Sequence, residues 1–293
     1  MSDTYVHEIF DRYVKLDRLP LTDAISIDEV HLDMDDDYKY ALVIQDFHTS
    51  NPIDLLRSRR TSVTEPYFVS IPATERNQVK YLISDMYNPY IAYVEKYFPN
   101  AVPVVDSFHV IQWITRSIDN YIRQLLKKYR QRDREYQDKL SYEQSTTCSL
   151  PTSDEVYLLQ KYRWLILSNQ SNIRYHSDPR MDSHFHVLMN TYDYEDALFR
   201  IDPNLKDFRD LKEMYVQFNL RNGGNPLLAR NELKELIQTY KSSQFEIFRD
   251  FASLLKKFED PIVNSFIMVE KSATAKFMMH VYLMVPSNPL TAK

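Results

Sequence analysis

Apolar and polar residues alternate along the first third of the chain and recur at three- and four-residue intervals beyond it, with the change of texture near Phe108. Ahead of both, Tyr5 to Val14 carries apolar residues at helical spacing until Leu19-Pro20 stops the pattern, which predicts a short helix leading into a domain. Ala24 to Leu32 and Tyr38 to Asp46 read as strands, the acidic run Asp33 to Asp37 between them as a turn, and Pro52 to Leu56 as a third strand. Three such runs in succession predict an antiparallel meander. A polar stretch of helical character follows. Then come a short apolar strand, Val79 to Asp85, a helix over Asn88 to Phe98 with Pro89 in its first turn, and a strand over Ala101 to Asp106.

This order, β-β-β, helix, β, helix, β, is the skeleton of a ribonuclease-H-like mixed sheet of the α/β class. From Phe108 to about Val269 the spacing is helical almost throughout. It predicts helices over Val110 to Tyr129, Asp154 to Leu167, His184 to Leu198, Leu205 to Phe218, Glu232 to Tyr240 and Phe245 to Phe258. Gln131 to Gln144 reads as a densely charged helix or tether, and Asn222 to Pro226, which holds both glycines, as a break. The expected division is an N-terminal helix and linker over 1–22, the sheet core over 23–116, an all-helical insertion over 117–271, and a tail of aberrant texture over 272–293.

Composition narrows the function. With 44% hydrophobic and 26% charged residues in 293, the chain is neither disordered nor fibrous. Its 36 basic and 41 acidic residues give a net charge of -5, so any contact with nucleic acid must be local. One cysteine, Cys148, excludes a disulfide framework and a Cys-rich zinc module and suits a reducing cytoplasm. No apolar run approaches the length of a membrane span, so no membrane partner is expected. Two glycines, Gly223 and Gly224, leave none for a phosphate-cradling loop of the common nucleotide-binding kinds.

Two aspartates carry the candidate chemistry. Asp28 lies within the first strand and Asp85 at the end of the fourth, and those strands neighbour each other in a ribonuclease-H-like sheet. Clustered carboxylate oxygens are what a hard cation such as Mg²⁺ needs, although each residue alone also reads as an ordinary strand-end acid. Asp106 and His109, after the fifth strand, could cap the next helix or support the site. Alternation turns Glu29 to the opposite face from Asp28 and gives it a structural role. The basic stretches Arg57, Arg59, Arg60 and Lys127, Lys128, Arg130, Arg132, Arg134 read either as solvated faces or as phosphate contacts. Tyr87, Tyr90, Tyr93 and Tyr97 read as packing residues, and Cys148 has no assigned role.

Five ordered fragments carry a resemblance: Ile27-Asp-Glu29, Tyr40 to Asp46, Ser84 to Tyr90, Tyr97 to Ala101 and Val105 to Val110. Together they resemble the bacterial insertion-sequence transposases of the ISL-three type, over roughly residues 1 to 130. The resemblance implies a DDE transposase, whose Asp, Asp and Glu bind two Mg²⁺ for DNA cleavage and strand transfer. It implies Asp28 as the first acid, Asp85 as the second, and Asp106 and His109 in support. The implied partners are transposon ends and target DNA, the implied location is the bacterial cytoplasm, and a homo-oligomer is compatible with it.

Two departures accompany the match. Family members begin with a Cys-rich module and a helix-turn-helix, which are expected to be missing here. The family's third acid lies in a motif like Ser-Asn-Gly-Pro-Ile-Glu-x-x-Asn, and no such stretch occurs in this chain. Read two nucleotides later with permitted synonymous codons, the tail after Lys276 spells Asp-Ala-Arg-Leu-Ser-Asn-Gly-Pro-Ile-Glu-Ser-Leu-Asn-Arg-Lys. The expectation is therefore a frame change shortly before Lys276, and a chain truncated at both ends that lacks its catalytic Glu. The alternatives are a self-sufficient Mg²⁺-dependent nuclease using Glu259 or Glu270 as substitute acid, and a non-catalytic interaction or regulatory protein.

Overall fold

The computed structural model describes residues 18–31, 40–144 and 151–267. The expected helix over Tyr5 to Val14, the turn at Asp33 to Asp37, Cys148, Glu270 and the tail over 272–293 lie outside them. The described residues form two compact units, one of those from 18 to 106 together with 260–267, the other of those within Ser107–Glu259.

The first unit contains a sheet of five strands: β1 (Ala24–His31), β2 (Tyr40–Asp46), β3 (Pro52–Leu56), β4 (Tyr81–Ser84) and β5 (Val102–Val105). Helices α1 (Thr61–Ser70) and α2 (Ala73–Arg76) join β3 to β4, and α3 (Asn88–Tyr97) joins β4 to β5. The spatial order is β3-β2-β1-β4-β5. The first three strands pair antiparallel, while β4 runs parallel to β1 and β5 parallel to β4. Alternation in β1 sends Ile25 and Ile27 to one face, where they pack with Leu42, Ile44, Leu82 and the α1 and α3 side chains Phe68, Tyr90, Tyr93 and Tyr97. Phe68, fully buried, meets the rings of Tyr93, Tyr97 and Phe98 at centroid distances of 5.3, 5.4 and 5.5 Å. On the other face a smaller cluster joins Ala24, Ile83 and Val104. An antiparallel three-strand meander continued by two parallel strands with helical crossovers is the ribonuclease-H-like arrangement, the class expected from the sequence.

The second unit is helical apart from one hairpin. Its elements are α4 (Ser107–Gln144), α5 (Asp154–Lys161), α6 (Trp164–Leu167), β6 (Arg180–Met181), β7 (Leu188–Met189), α7 (Thr191–Ile201), α8 (Asn204–Arg221), α9 (Pro226–Lys241) and α10 (Glu246–Lys257). A last helix, α11 (Glu259–Asn264), runs from this unit into the first. Residues 131 to 144 continue α4 as helix, and the glycine break falls between α8 and α9, where Gly224 has a φ of 80°. No helix of the described residues is long and apolar enough to cross a membrane.

Two helix expectations are corrected. Asp154 to Leu167 is interrupted after Lys161, so that α5 and α6 are separate. The expected helix over His184 to Leu198 begins only at Thr191, because residues 180 to 189 form the β6–β7 hairpin. The buried Asp182 carboxylate accepts the amides of His184 and Phe185 at 2.8 and 3.0 Å and the phenols of Tyr157 and Tyr194 at 2.7 and 2.8 Å. His186 follows with a φ of 55°, a left-handed turn that no helix accommodates.

Candidate active site

The sheet positions the two candidate carboxylates. β1 and β4 pair in parallel up to Ser26 opposite Ile83, and Asp28 and Asp85 each lie two residues beyond that last pair. Asp28 shares the parity of Ala24, and Asp85, just past the end of β4, continues the parity of Ile83, so both belong to the face of the smaller cluster. Parallel strands stand about 4.8 Å apart, so the register brings the chain at Asp28, inside β1, and at Asp85, just past the end of β4, forward from neighbouring paired positions. Asp106 follows β5 in the same way: its amide donates to the Ser84 carbonyl at 2.9 Å, and it continues the parity of Val104. Asp28 within β1, and Asp85 and Asp106 just past β4 and β5, thus share the parity of one sheet face.

Local hydrogen bonds shape each end. An Asp28 Oδ1 accepts the Glu29 amide at 2.7 Å, and an Asp85 Oδ1 accepts the Tyr87 amide at 3.1 Å, turning the chain into α3 with Pro89 in its first turn. His109 lies in the first turn of α4 in the second unit, its ring edge-on to Phe108 at 5.3 Å.

Behind the row, on the other face, Glu29 is the centre of a network. Its carboxylate accepts both Arg59 Nη1 contacts, at 2.7 and 2.9 Å, and the Tyr90 hydroxyl at 2.6 Å. The Glu29 carboxylate holds the Arg59 guanidinium above its usual value. Burial, that hydrogen bond and the nearby charges of Glu29 and Asp85 push the Tyr90 phenol far up. Arg59 also covers the rings of Tyr40 and Tyr87, at 5.0 and 5.8 Å. Of the basic run Arg57, Arg59, Arg60, at least Arg59 is therefore engaged within the fold rather than held out for phosphate.

The donor set suits a hard cation in kind but is short in number. Asp28 and Asp85 supply anionic oxygens, yet among the described residues no group of three or more His, Cys, Asp or Glu lies close enough to hold a metal ion. Glu259, the described candidate for a substitute acid, is buried in the second unit and engaged by Lys256 at 2.6 Å and Arg230 at 3.6 Å.

Comparison with known protein families matches residues 25–275 to a transposase family, the DDE transposases of the ISL-three type. No curated protein and no solved structure matches the chain.

Proposed function

The chain belongs to the ISL-three family of DDE transposases, and on that premise we propose that Asp28 and Asp85 are the two strand-borne acids of its catalytic centre. The observation that carries this is the parallel β1–β4 register, which puts both residues at the same level on one sheet face. Asp28 and Asp85 would hold Mg²⁺. Bound there, the ion would supply the electrophilic assistance that phosphodiester cleavage and strand transfer require. Asp106, whose amide donates to the Ser84 carbonyl beside Asp85, takes a supporting role, and His109 follows it three residues on in the chain. The Asp85 turn and the Glu29 network fix the backbone on which the two acids stand. DNA is the partner that family membership implies, and transposon ends and target are its expected forms.

In this reading the centre is catalytically incomplete. The family match stops at residue 275, beside Lys276, where the frame of the tail is expected to change. Two carboxylates without a third bind a hard cation weakly, since the number of charged ligands sets the affinity.

The test is Mg²⁺-dependent nicking of supercoiled DNA by three proteins: the chain itself, the chain with residues after 275 replaced by the shifted-frame reading, and that second protein carrying Asp28→Asn. Nicking is expected only from the second. If the chain itself nicks and Asp28→Asn abolishes the activity, the site is complete as it stands and the nuclease alternative replaces the incomplete one. If the restored protein cleaves equally well with Asn at position 28, the assignment of Asp28 fails.

A further inference from the structure

Helix α4 spans 38 residues, about 55 Å at 1.5 Å per residue, and its two faces differ in kind. Val110, Ile114, Ile118, Ile122 and Leu126 bury one face. On the opposite face Arg116, Asn120, Arg123, Lys127, Arg130 and Arg134 succeed one another at intervals of three and four residues, all exposed. At 100° per residue they share a stripe about 80° wide and about 27 Å long.

The stripe is not explained by ion pairing within the fold. The two acids of α4 between Arg116 and Arg134 are Asp119 and Asp133, which lie outside the stripe. Asp119 pairs with Arg123 at 2.6 Å and Arg163 at 3.4 Å, and Asp133 with Arg132 at 3.1 Å. Arg116, Lys127 and Arg134 pair with no acid among the described residues. Cations held in a row, in a chain of net charge -5, repel one another unless a polyanion lies along them. At the far end Arg130 and Arg134 border a cleft of about 760 Å³ that Thr152 and Gln160 also line; its one carboxylate, Asp133, is engaged by Arg132 and by the Ser153 hydroxyl.

We propose that the outer face of α4, from Arg116 to Arg134, is a track for the backbone phosphates of duplex DNA. This rests on the reading of the chain as a protein that acts on DNA, and it assigns that contact to a surface remote in sequence from Asp28 and Asp85. Duplex is favoured over single-stranded DNA because the row carries no aromatic side chain on which unpaired bases could stack, the exposed Tyr136 standing only at the cleft beyond its far end.

Binding of the full chain to a random-sequence duplex of about 30 base pairs, followed by fluorescence anisotropy across a salt series, tests it. Each phosphate neutralised contributes about 0.9 to the slope of log K against log salt. The triple variant Arg116→Gln, Lys127→Gln, Arg134→Gln should therefore lose about 2.7 of that slope. A variant with the same charge change off the row, Lys128→Gln, Lys139→Gln, Lys241→Gln, should keep most of it. Equal slopes for the two variants overturn the track while leaving the DNA reading intact. No salt-dependent duplex binding by the unaltered chain overturns both. Tighter binding of a single-stranded oligonucleotide, lost in the triple variant, overturns the assignment to duplex.

Discussion

Asp28 and Glu29 are consecutive acids in one strand, and the pleat gives them separate work. Asp28 accepts a local amide, whereas Glu29, with a side chain only 15% exposed, satisfies an arginine and a tyrosine from two other segments. Removing the Glu29 charge leaves Arg59 and Tyr90 poorly matched. Glu29→Gln is expected to cost about 1–2 kcal/mol, below the roughly 3–5 kcal/mol of a fully buried pair because Arg59 is 43% exposed. Asp28→Asn should leave urea stability within about 0.5 kcal/mol. A larger loss for Asp28→Asn than for Glu29→Gln would reverse the division of labour. The alternation of apolar residues in β1 already reveals that Glu29 faces away from Asp28. Its partners are not legible, because Arg59 and Tyr90 reach it through loop and helix geometry that no local pattern records.

Among the elements, the β6–β7 hairpin shows where periodicity misleads. Phe185, Leu188, Met189 and Tyr192 fall at helical spacing, yet Asp182 folds the chain back before them. The helix start is nevertheless written in the sequence. Asn190 accepts the amides of Tyr192 and Asp193, and the Asp193 carboxylate accepts the Asn190 amide, a reciprocal cap whose two residues stand three apart. Asn190→Ala should lower the stability of the chain by about 1 kcal/mol in thermal or urea unfolding, with Asn190→Ser nearly neutral. Long helices such as α4 are easier to read, since Val110, Ile111, Ile114, Ile118, Tyr121, Ile122 and Leu125 recur at three- and four-residue intervals, which a helix gathers on one face and a strand does not. The end of α6 was not legible: Lys212, fully buried, donates to the carbonyls of Ile166, Leu167 and Ser168 at 3.1, 2.8 and 2.6 Å. A lysine some forty residues away closing a helix C-terminus leaves no local trace.

At the scale of the whole molecule, the strand and helix order sufficed to identify the sheet, and the change of texture near Phe108 adjoins the start of the helical unit at Ser107. Acid stability is a property both units contribute to. In the sheet unit the Arg18 guanidinium, against the opposing effect of burial and with the Leu21 amide, holds Glu75 below its ordinary 4.5. In the helical unit burial alone would raise Asp182, but the amides of Phe185 and His184 and the phenols of Tyr157 and Tyr194 hold it well below its ordinary 3.8. A depressed carboxylate binds fewer protons folded than unfolded. Its stabilisation is therefore complete above the ordinary value and is lost as pH falls through the folded one. Urea midpoints should vary little from these two groups above about pH 5 and fall steadily below about pH 4. Asp182→Asn and Glu75→Gln should each lower stability at neutral pH and flatten the acid limb. An unchanged acid limb in both variants would place the titration elsewhere.

The shared face of Asp28 and Asp85 is a matter of counting, since it holds only while each strand keeps its parity. A gene encoding β4 with one codon fewer would specify a chain whose Asp85 turned toward the α1 and α3 layer, even with every remaining residue unchanged. Two codons fewer would return it to the original side. Evolution along these short strands is thereby confined to even steps in length, while substitutions that keep the count remain open.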